Sequence, residues 1–313
     1  MRPVISSHFG IAALVRHAAP SAWWAEMSHA VLISAFAALL VLLLASATWL
    51  LLRRRSRKLG RRVAKRAPRV RYPVVLAHGI MGFDELKLGP AGAAYFRGVR
   101  PRLEAMGSKV YALRVPAVAS VALRAERLAQ AIRELDADKV NIVAHSMGGL
   151  DARYAITRLG LSKKVASLTT VGTPHRGTPL ADIGTHLLGA GPVLMKALQQ
   201  LGLDVTGFAD LTTLRMAAFN ADVPDVKSVC YASMLAQAAG GFSVANPLLW
   251  PTHKYLMEKA GPNDGLVPVA SQQWGEVFGT VDADHWAQIG WMPGYDAAAL
   301  YERVVEELRG RGF

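Results

Sequence analysis

Cysteine is almost missing: Cys230 stands alone among 313 residues. That excludes an internal disulfide framework and any zinc cluster built on cysteines. Charge is sparse too, at 19% of positions against 52% hydrophobic. A disordered chain needs the reverse balance. This length buries a real core, as one large α/β domain or two smaller ones. Acidic residues vanish altogether from Arg53 to Arg71, a stretch holding 11 lysines and arginines. Setting those aside leaves 25 basic against 23 acidic residues, so the net charge of +13 sits almost wholly in one segment. The rest is nearly neutral, which argues against a nucleic-acid-binding face.

Charge of either sign is also absent from Val31 to Leu52, VLISAFAALLVLLLASATWLLL. As a helix rising about 1.5 Å per residue this run spans about 33 Å, enough for a hydrocarbon core of about 30 Å. Trp23, Trp24 and Trp49 stand near its two ends, where indole rings prefer the interface. A cleaved signal peptide has a shorter apolar stretch that follows its positive charges, whereas here the charges come after. The expected organisation is an N-terminal segment over 1–30, a retained transmembrane helix over 31–52, a basic linker over 53–71 lying at the membrane surface, and a folded domain over 72–313. Only Arg2 and Arg16 lie on the N-terminal side of the span. The positive-inside rule then places the folded domain in the cytoplasm.

From residue 72 the pattern is α/β. Short apolar runs predict buried strands over 73–77, 109–115, 139–144, 165–171 and 276–281. Between them, amphipathic periodicity and closing glycines predict helices over 99–106, 123–135 and 149–159, with a last helix over 295–309. Strands alternating with helices imply a mostly parallel sheet with helices on both faces. The rhythm breaks over about 179–251, where helical pieces at 183–188, 193–201 and 211–219 surround one strand over 227–232. This region reads either as a helical cap over a site or as an ordinary structural insertion.

The most informative segment is Val140-Asn-Ile-Val-Ala-His-Ser-Met-Gly-Gly149. A buried strand ends in Ala144-His145-Ser146-Met147-Gly148, and a helix begins at once. This is the G-x-S-x-G nucleophile elbow with Ala144 in the first glycine's place. The turn holds a serine hydroxyl clear of the sheet, small neighbours let backbones pass closely, and the helix N-terminus favours developing negative charge. A serine nucleophile needs a base, and the base an orienting carboxylate, in the chain order serine, acid, histidine. Of nine histidines, His285 is the one that follows the best acid, Asp264 in Gly-Pro-Asn-Asp-Gly-Leu-Val. Asp282, Asp284, Asp222 and Asp225 compete as acids. Two backbone N–H groups must meet the developing alkoxide. Met147, after the nucleophile, is one, and Ile80 in His78-Gly79-Ile80-Met81-Gly82 is the other.

These pieces carry a resemblance. Tyr72-Pro-Val-Val-Leu-Ala-His-Gly-Ile-Met-Gly-Phe-Asp84, Val140 to Gly149, Gly172-Thr-Pro-His-Arg-Gly-Thr178, Asn263-Asp-Gly-Leu-Val267 and His285 resemble, in order, the bacterial true lipases of the α/β-hydrolase superfamily, the Pseudomonas and Burkholderia type. The resemblance implies an α/β-hydrolase fold and cleavage of carboxylic esters of lipids. It implies Ser146 as nucleophile, Asp264 as acid, His285 as base, Ile80 and Met147 as oxyanion donors, a structural loop at His175, and no catalytic cofactor. Relatives often hold a structural calcium through an aspartate two residues after the histidine. Ala287 stands there in this chain, and no acidic partner is evident near Leu249-Trp250-Pro251. The same triad also suits an acyltransferase, thioesterase or polyester hydrolase. A non-catalytic membrane scaffold would be marked by a missing triad member, and every candidate is present.

Overall fold

The computed structural model describes residues 70–80, 85–86, 93–117, 119–189, 206–239 and 246–313. The expected span from Val31 to Leu52, the basic linker over 53–71 apart from its last two residues, and the helical piece over 193–201 lie outside them. Among the described residues no helix is long and apolar enough to cross a membrane.

Strand β1 (Val74–Ala77) is followed by a small antiparallel pair, β2 (Glu85–Leu86) and β3 (Ala93–Ala94). Helix α1 (Val99–Ala105), strand β4 (Val110–Leu113), helix α2 (Val121–Arg133), strand β5 (Val140–His145), helix α3 (Gly148–Arg158) and strand β6 (Val165–Val171) then alternate. Helices α4 (Pro179–Gly189), α5 (Thr206–Asp210) and α6 (Thr213–Asp222) precede strand β7 (Cys230–Gln237). Helices α7 (Trp250–Ala260) and α8 (Val269–Gln272), strand β8 (Glu276–Asp282) and helix α9 (Ala297–Gly310) complete the chain.

Six strands form one sheet in the order β4-β1-β5-β6-β7-β8, every neighbouring pair parallel. The cause lies in the sequence. β1, β5 and β6 are buried at every position, as strands covered on both faces must be. Alternate residues feed opposite cores. Val74 and Leu76 pack with Leu103 of α1 and Tyr301, Val304 and Leu308 of α9. Val75 and Ala77 pack with Leu128 and Ile132 of α2 and Ala152 and Ile156 of α3. Helices therefore lie on both faces of the sheet.

Several helix starts differ from expectation, and capping explains two of them. Ser120 accepts from the Leu123 N–H (3.4 Å), so α2 begins at Val121. Asp296 accepts from the Ala299 N–H (3.3 Å), which starts α9 at Ala297. Between β6 and β7 the described elements are helices, while β7 runs on to Gln237 because it pairs with β6 on one side and β8 on the other. Helix α7 went unpredicted, although Pro251 occupies a first-turn position, where its missing N–H costs nothing.

Candidate active site

Strand β5 delivers Ser146 directly. Among the described residues it is the one non-glycine at positive φ, +55°, a left-handed backbone costing about 1–2 kcal/mol. Neighbours hold it there. Its N–H donates to the Val171 carbonyl at the end of β6 (2.9 Å), and its carbonyl accepts from the Thr173 hydroxyl (2.7 Å). Gly148 opens α3 against the end of β1. A Cβ there would meet the carbonyl oxygens of Ala77 and His78 at 2.7 Å, so only glycine lets helix and strand approach this closely.

The His78-Gly79-Ile80 turn follows β1 and passes beside the serine. A Cβ on Gly79 would lie 2.6 Å from the Ser146 Cβ. His78 fixes the turn from within. Its Nε2 accepts from the Val115 N–H (3.2 Å), so Nδ1 carries the proton and donates to the Gly79 carbonyl (2.9 Å). The C=O and N–H of one planar peptide point opposite ways, so holding the Gly79 carbonyl sets the direction of the Ile80 N–H. Ile80 packs its side chain with buried Met147 and Leu150.

A buried guanidinium fixes the same turn from behind. Arg124 of α2 donates to the His78 carbonyl (2.7 Å) and, through Nε (2.9 Å) and Nη2 (2.8 Å), to Oδ2 of Asp151 in α3. Both side chains are essentially inaccessible. Burial pushes the Asp151 carboxyl up to about 7, with Arg124 pulling the other way.

Asp264 and His285, the expected acid and base, meet at the same end of the sheet. Asp264 is fully buried, and its Oδ1 accepts from the N–H groups of Leu266 (3.0 Å) and Val267 (2.7 Å). Its Oδ2 accepts from His285 Nδ1 (2.7 Å) and from Gln288 Nε2 (2.8 Å). The backbones are tied as well, His285 N–H to the Asp264 carbonyl at 2.8 Å. With Nδ1 donating, the neutral imidazole presents a basic Nε2. The His285 ring lies against that of His145, next to the serine, with centroids 4.6 Å apart.

The rival carboxylates are otherwise engaged. Asp284 accepts from the N–H groups of Trp286 (2.9 Å), Ala287 (2.7 Å) and Asn246 (2.7 Å), clasping the histidine loop to the chain before α7. Asp282 accepts from the Ala239 N–H, Asp225 from the Trp274 indole, and Asp222 pairs with Arg158. His175 is buried, stacked on Trp274 and bonded to the Thr170 hydroxyl (3.0 Å). Burial and the nearby Arg153 hold its pKa well below the ordinary value.

Beside His285 the described side chains do not build a cation site. Ala287 offers no ligand, and the Asp284 oxygens already accept three backbone N–H groups. Among the described residues no three His, Cys, Asp or Glu side chains gather as a metal site. Sequence reasoning missed Tyr95, Arg124, Asp151 and Gln288. The hydrogen bonds that tie them in join residues 16 to 50 positions apart, with no local pattern to announce them.

The sequence profile described as the Alpha/beta hydrolase family matches residues 74–306. Triacylglycerol lipase 2 of Saccharomyces cerevisiae is 31% identical over 268 residues, covering 70% of this chain and 80% of its own. A triacylglycerol lipase of Burkholderia plantarii is 26% identical over 283 residues, covering 69% of this chain and 77% of its own. Among solved structures, a metagenomic carboxyl esterase superposes with a TM-score of 0.65 at 21% identity, over 80% of this chain and 77% of that one. Mature Bacillus licheniformis lipase superposes at 0.60 with 22% identity, over 79% and 94%. These two bear on the fold alone. The profile match and the yeast relative carry more, and they show that the chain belongs to the alpha/beta hydrolase family.

Proposed function

We propose that this protein is a serine hydrolase that cleaves carboxylic esters of lipids. The observation that carries the reading is the hydrogen-bonded Asp264–His285 pair beside a serine held at φ +55° on a strand-to-helix turn. The named activity of the yeast and Burkholderia relatives, triacylglycerol lipase, supports the substrate class.

Ser146 Oγ attacks the acyl carbonyl while His285 Nε2 takes its proton. Asp264 keeps the imidazole in the Nδ1–H tautomer and stabilises the imidazolium. The N–H groups of Ile80 and Met147 receive the oxyanion. The alcohol leaves with the proton from His285, and water then releases the fatty acid by the same steps reversed. No metal or organic cofactor enters any step.

The charge-free run from Val31 to Leu52 and its basic flank favour a single-pass anchor with the hydrolase domain on the cytoplasmic side. The anchor would keep the site at a lipid surface. Protease added to intact cells should spare the domain and protease added to inverted vesicles should remove it; the opposite pattern reverses the orientation.

Turnover of an emulsified long-chain ester by the full-length protein tests the catalytic assignment. Ser146→Ala is expected to lower kcat by at least about 10³-fold with the fold intact. Equal turnover by the variant would refute it.

A further inference from the structure

Beneath the site runs a set of buried polar groups that the catalytic steps do not use. The Tyr95 phenol accepts from the Gly79 N–H (3.1 Å) and lies 2.8 Å from His145 Nδ1. Having taken the Gly79 proton as an acceptor, the phenol has its own O–H left to donate, and Nδ1 is the partner in reach. The donation makes Nδ1 an acceptor and leaves the ring proton on Nε2. At the other edge of the ring, His145 Nε2 and Gln288 Oε1 are both buried without a geometrically good partner. A buried donor and a buried acceptor left orphaned together cost several kcal/mol in general, so each is expected to find a partner. The Gln288 amide and the backbone of residue 285 both act on this ring. The opposite end of that amide, Nε2, donates to Asp264 Oδ2, the oxygen that holds His285.

We propose that Tyr95, His145 and Gln288 form one neutral hydrogen-bonded chain joining the oxyanion turn to the catalytic carboxylate, an inference that rests on the catalytic reading above. The chain runs from Gly79 N–H to the Tyr95 oxygen, from Tyr95 O–H to His145 Nδ1, from His145 Nε2–H to Gln288 Oε1, and from Gln288 Nε2–H to Asp264 Oδ2. All three side chains are buried. None touches the reacting atoms, so they are positioning residues. Tyr95 sets the Gly79 backbone from one side while His78 sets it from the other. Gln288 gives the carboxylate a second fixed donor without adding charge.

Neutrality is part of the design. The His145 ring lies 4.6 Å from that of His285, so a cation there would oppose the imidazolium that forms during catalysis. The groups facing His145 are Tyr95, Gln288 and His285. None supplies a carboxylate in contact, and burial, together with the repulsion a second protonated ring would meet from His285, holds the His145 pKa well below the ordinary imidazole value. Burial likewise holds the Tyr95 phenol protonated.

Two measurements on the full-length protein test the chain. The first is the ring-nitrogen NMR signature of His145 in the unmodified protein, assigned by its loss in His145→Asn. A neutral Nε2–H tautomer that persists well below the pH at which an ordinary imidazole protonates is expected. An Nδ1–H tautomer, or a ring that protonates near pH 6.5, would overturn the proposal.

The second is a mutant cycle of Tyr95→Phe and Gln288→Met on a soluble short-chain ester. Each single variant is expected to lower kcat about tenfold with KM within about twofold, and the double to lose little more than the worse single. Losses that multiply, or no loss in either single, would overturn it. If the double variant does not fold, the tautomer decides. Turnover that survives Ser146→Ala sinks the catalytic reading instead and leaves the tautomer as the judge of the chain.

Discussion

As the proposed nucleophile, Ser146 carries two demands in one residue. The hydroxyl must stand clear of the sheet, and the backbone must sit at φ +55° to put it there. Only glycine adopts that conformation without cost. Removing the hydroxyl while relieving the backbone therefore separates the two. Ser146→Gly and Ser146→Ala are both expected to be inactive, with the glycine variant more stable in denaturant melts by about 1 kcal/mol. Equal stabilities would mean that the strain is not borne at this position. Asp264 offers a second separation. In Asp264→Asn, one amide oxygen accepts from the Leu266 and Val267 N–H groups as Oδ1 does now. Its NH₂ then faces the two donors on the other side, His285 Nδ1 and Gln288 Nε2. The imidazole is driven to the wrong tautomer. A loss of about 10³–10⁴ in kcat is expected with the melting temperature changed far less; a loss under tenfold would show that the carboxylate does not orient the base. Ser146, Asp264 and His285 could be nominated from the sequence because chain order and small neighbours mark them. Gln288 was not, since a glutamine three residues past a histidine on a loop has no sequence signature.

At the scale of elements, the oxyanion turn is a joint between β1, α2 and α3. Arg124 and Asp151 hold that joint from inside the core. Breaking a buried pair leaves one charge stranded, so Arg124→Met is expected to cost about 3–5 kcal/mol. Replacing both partners, as Arg124→Met with Asp151→Leu, should return most of that stability. Activity should stay low, because the His78 carbonyl has still lost its donor. Full recovery of activity in the double variant would show that the pair serves stability alone. The pair also gives a signed pH dependence. An unfolded aspartate ionises near 3.8, whereas burial delays Asp151 to about 7. Between those values the native state keeps a proton that the unfolded chain has released, so stability falls as pH rises through the window. Urea midpoints should fall from pH 4 to pH 7 more steeply in the unmodified protein than in Asp151→Asn; parallel curves would contradict it. Legibility at this scale followed burial. β1, β5 and β6 are short valine- and alanine-bearing runs buried at every position, and they announced themselves. β7, with Ala-Ser-Met-Leu-Ala-Gln at its end, has the composition of a helix as much as of a strand. Pairing with β6 and β8 decides its conformation, and pairing is a long-range fact.

For the whole molecule, a parallel sheet explains why so few residues build the site. All six strands point the same way, so their C-terminal ends open on one edge, where α/β folds place their ligands. β1 leads into the His78-Gly79-Ile80 turn, β5 into Ser146, β6 towards Thr173 and β8 into the loop of His285. The alternation of short buried strands with helices made this architecture readable from composition and period. The pieces that connect one strand end to another, Tyr95 to His145 and Gln288 to Asp264, became visible only once the ends were brought together. The central claim is that the turn after β5 presents the nucleophile. It is tested most directly by treating the full-length protein with a fluorophosphonate and mapping the adduct by peptide mass spectrometry. One phosphonylated site, at Ser146, is expected, with labelling abolished in Ser146→Ala and slowed in His285→Ala. An adduct on another residue, or none on active protein, would contradict it.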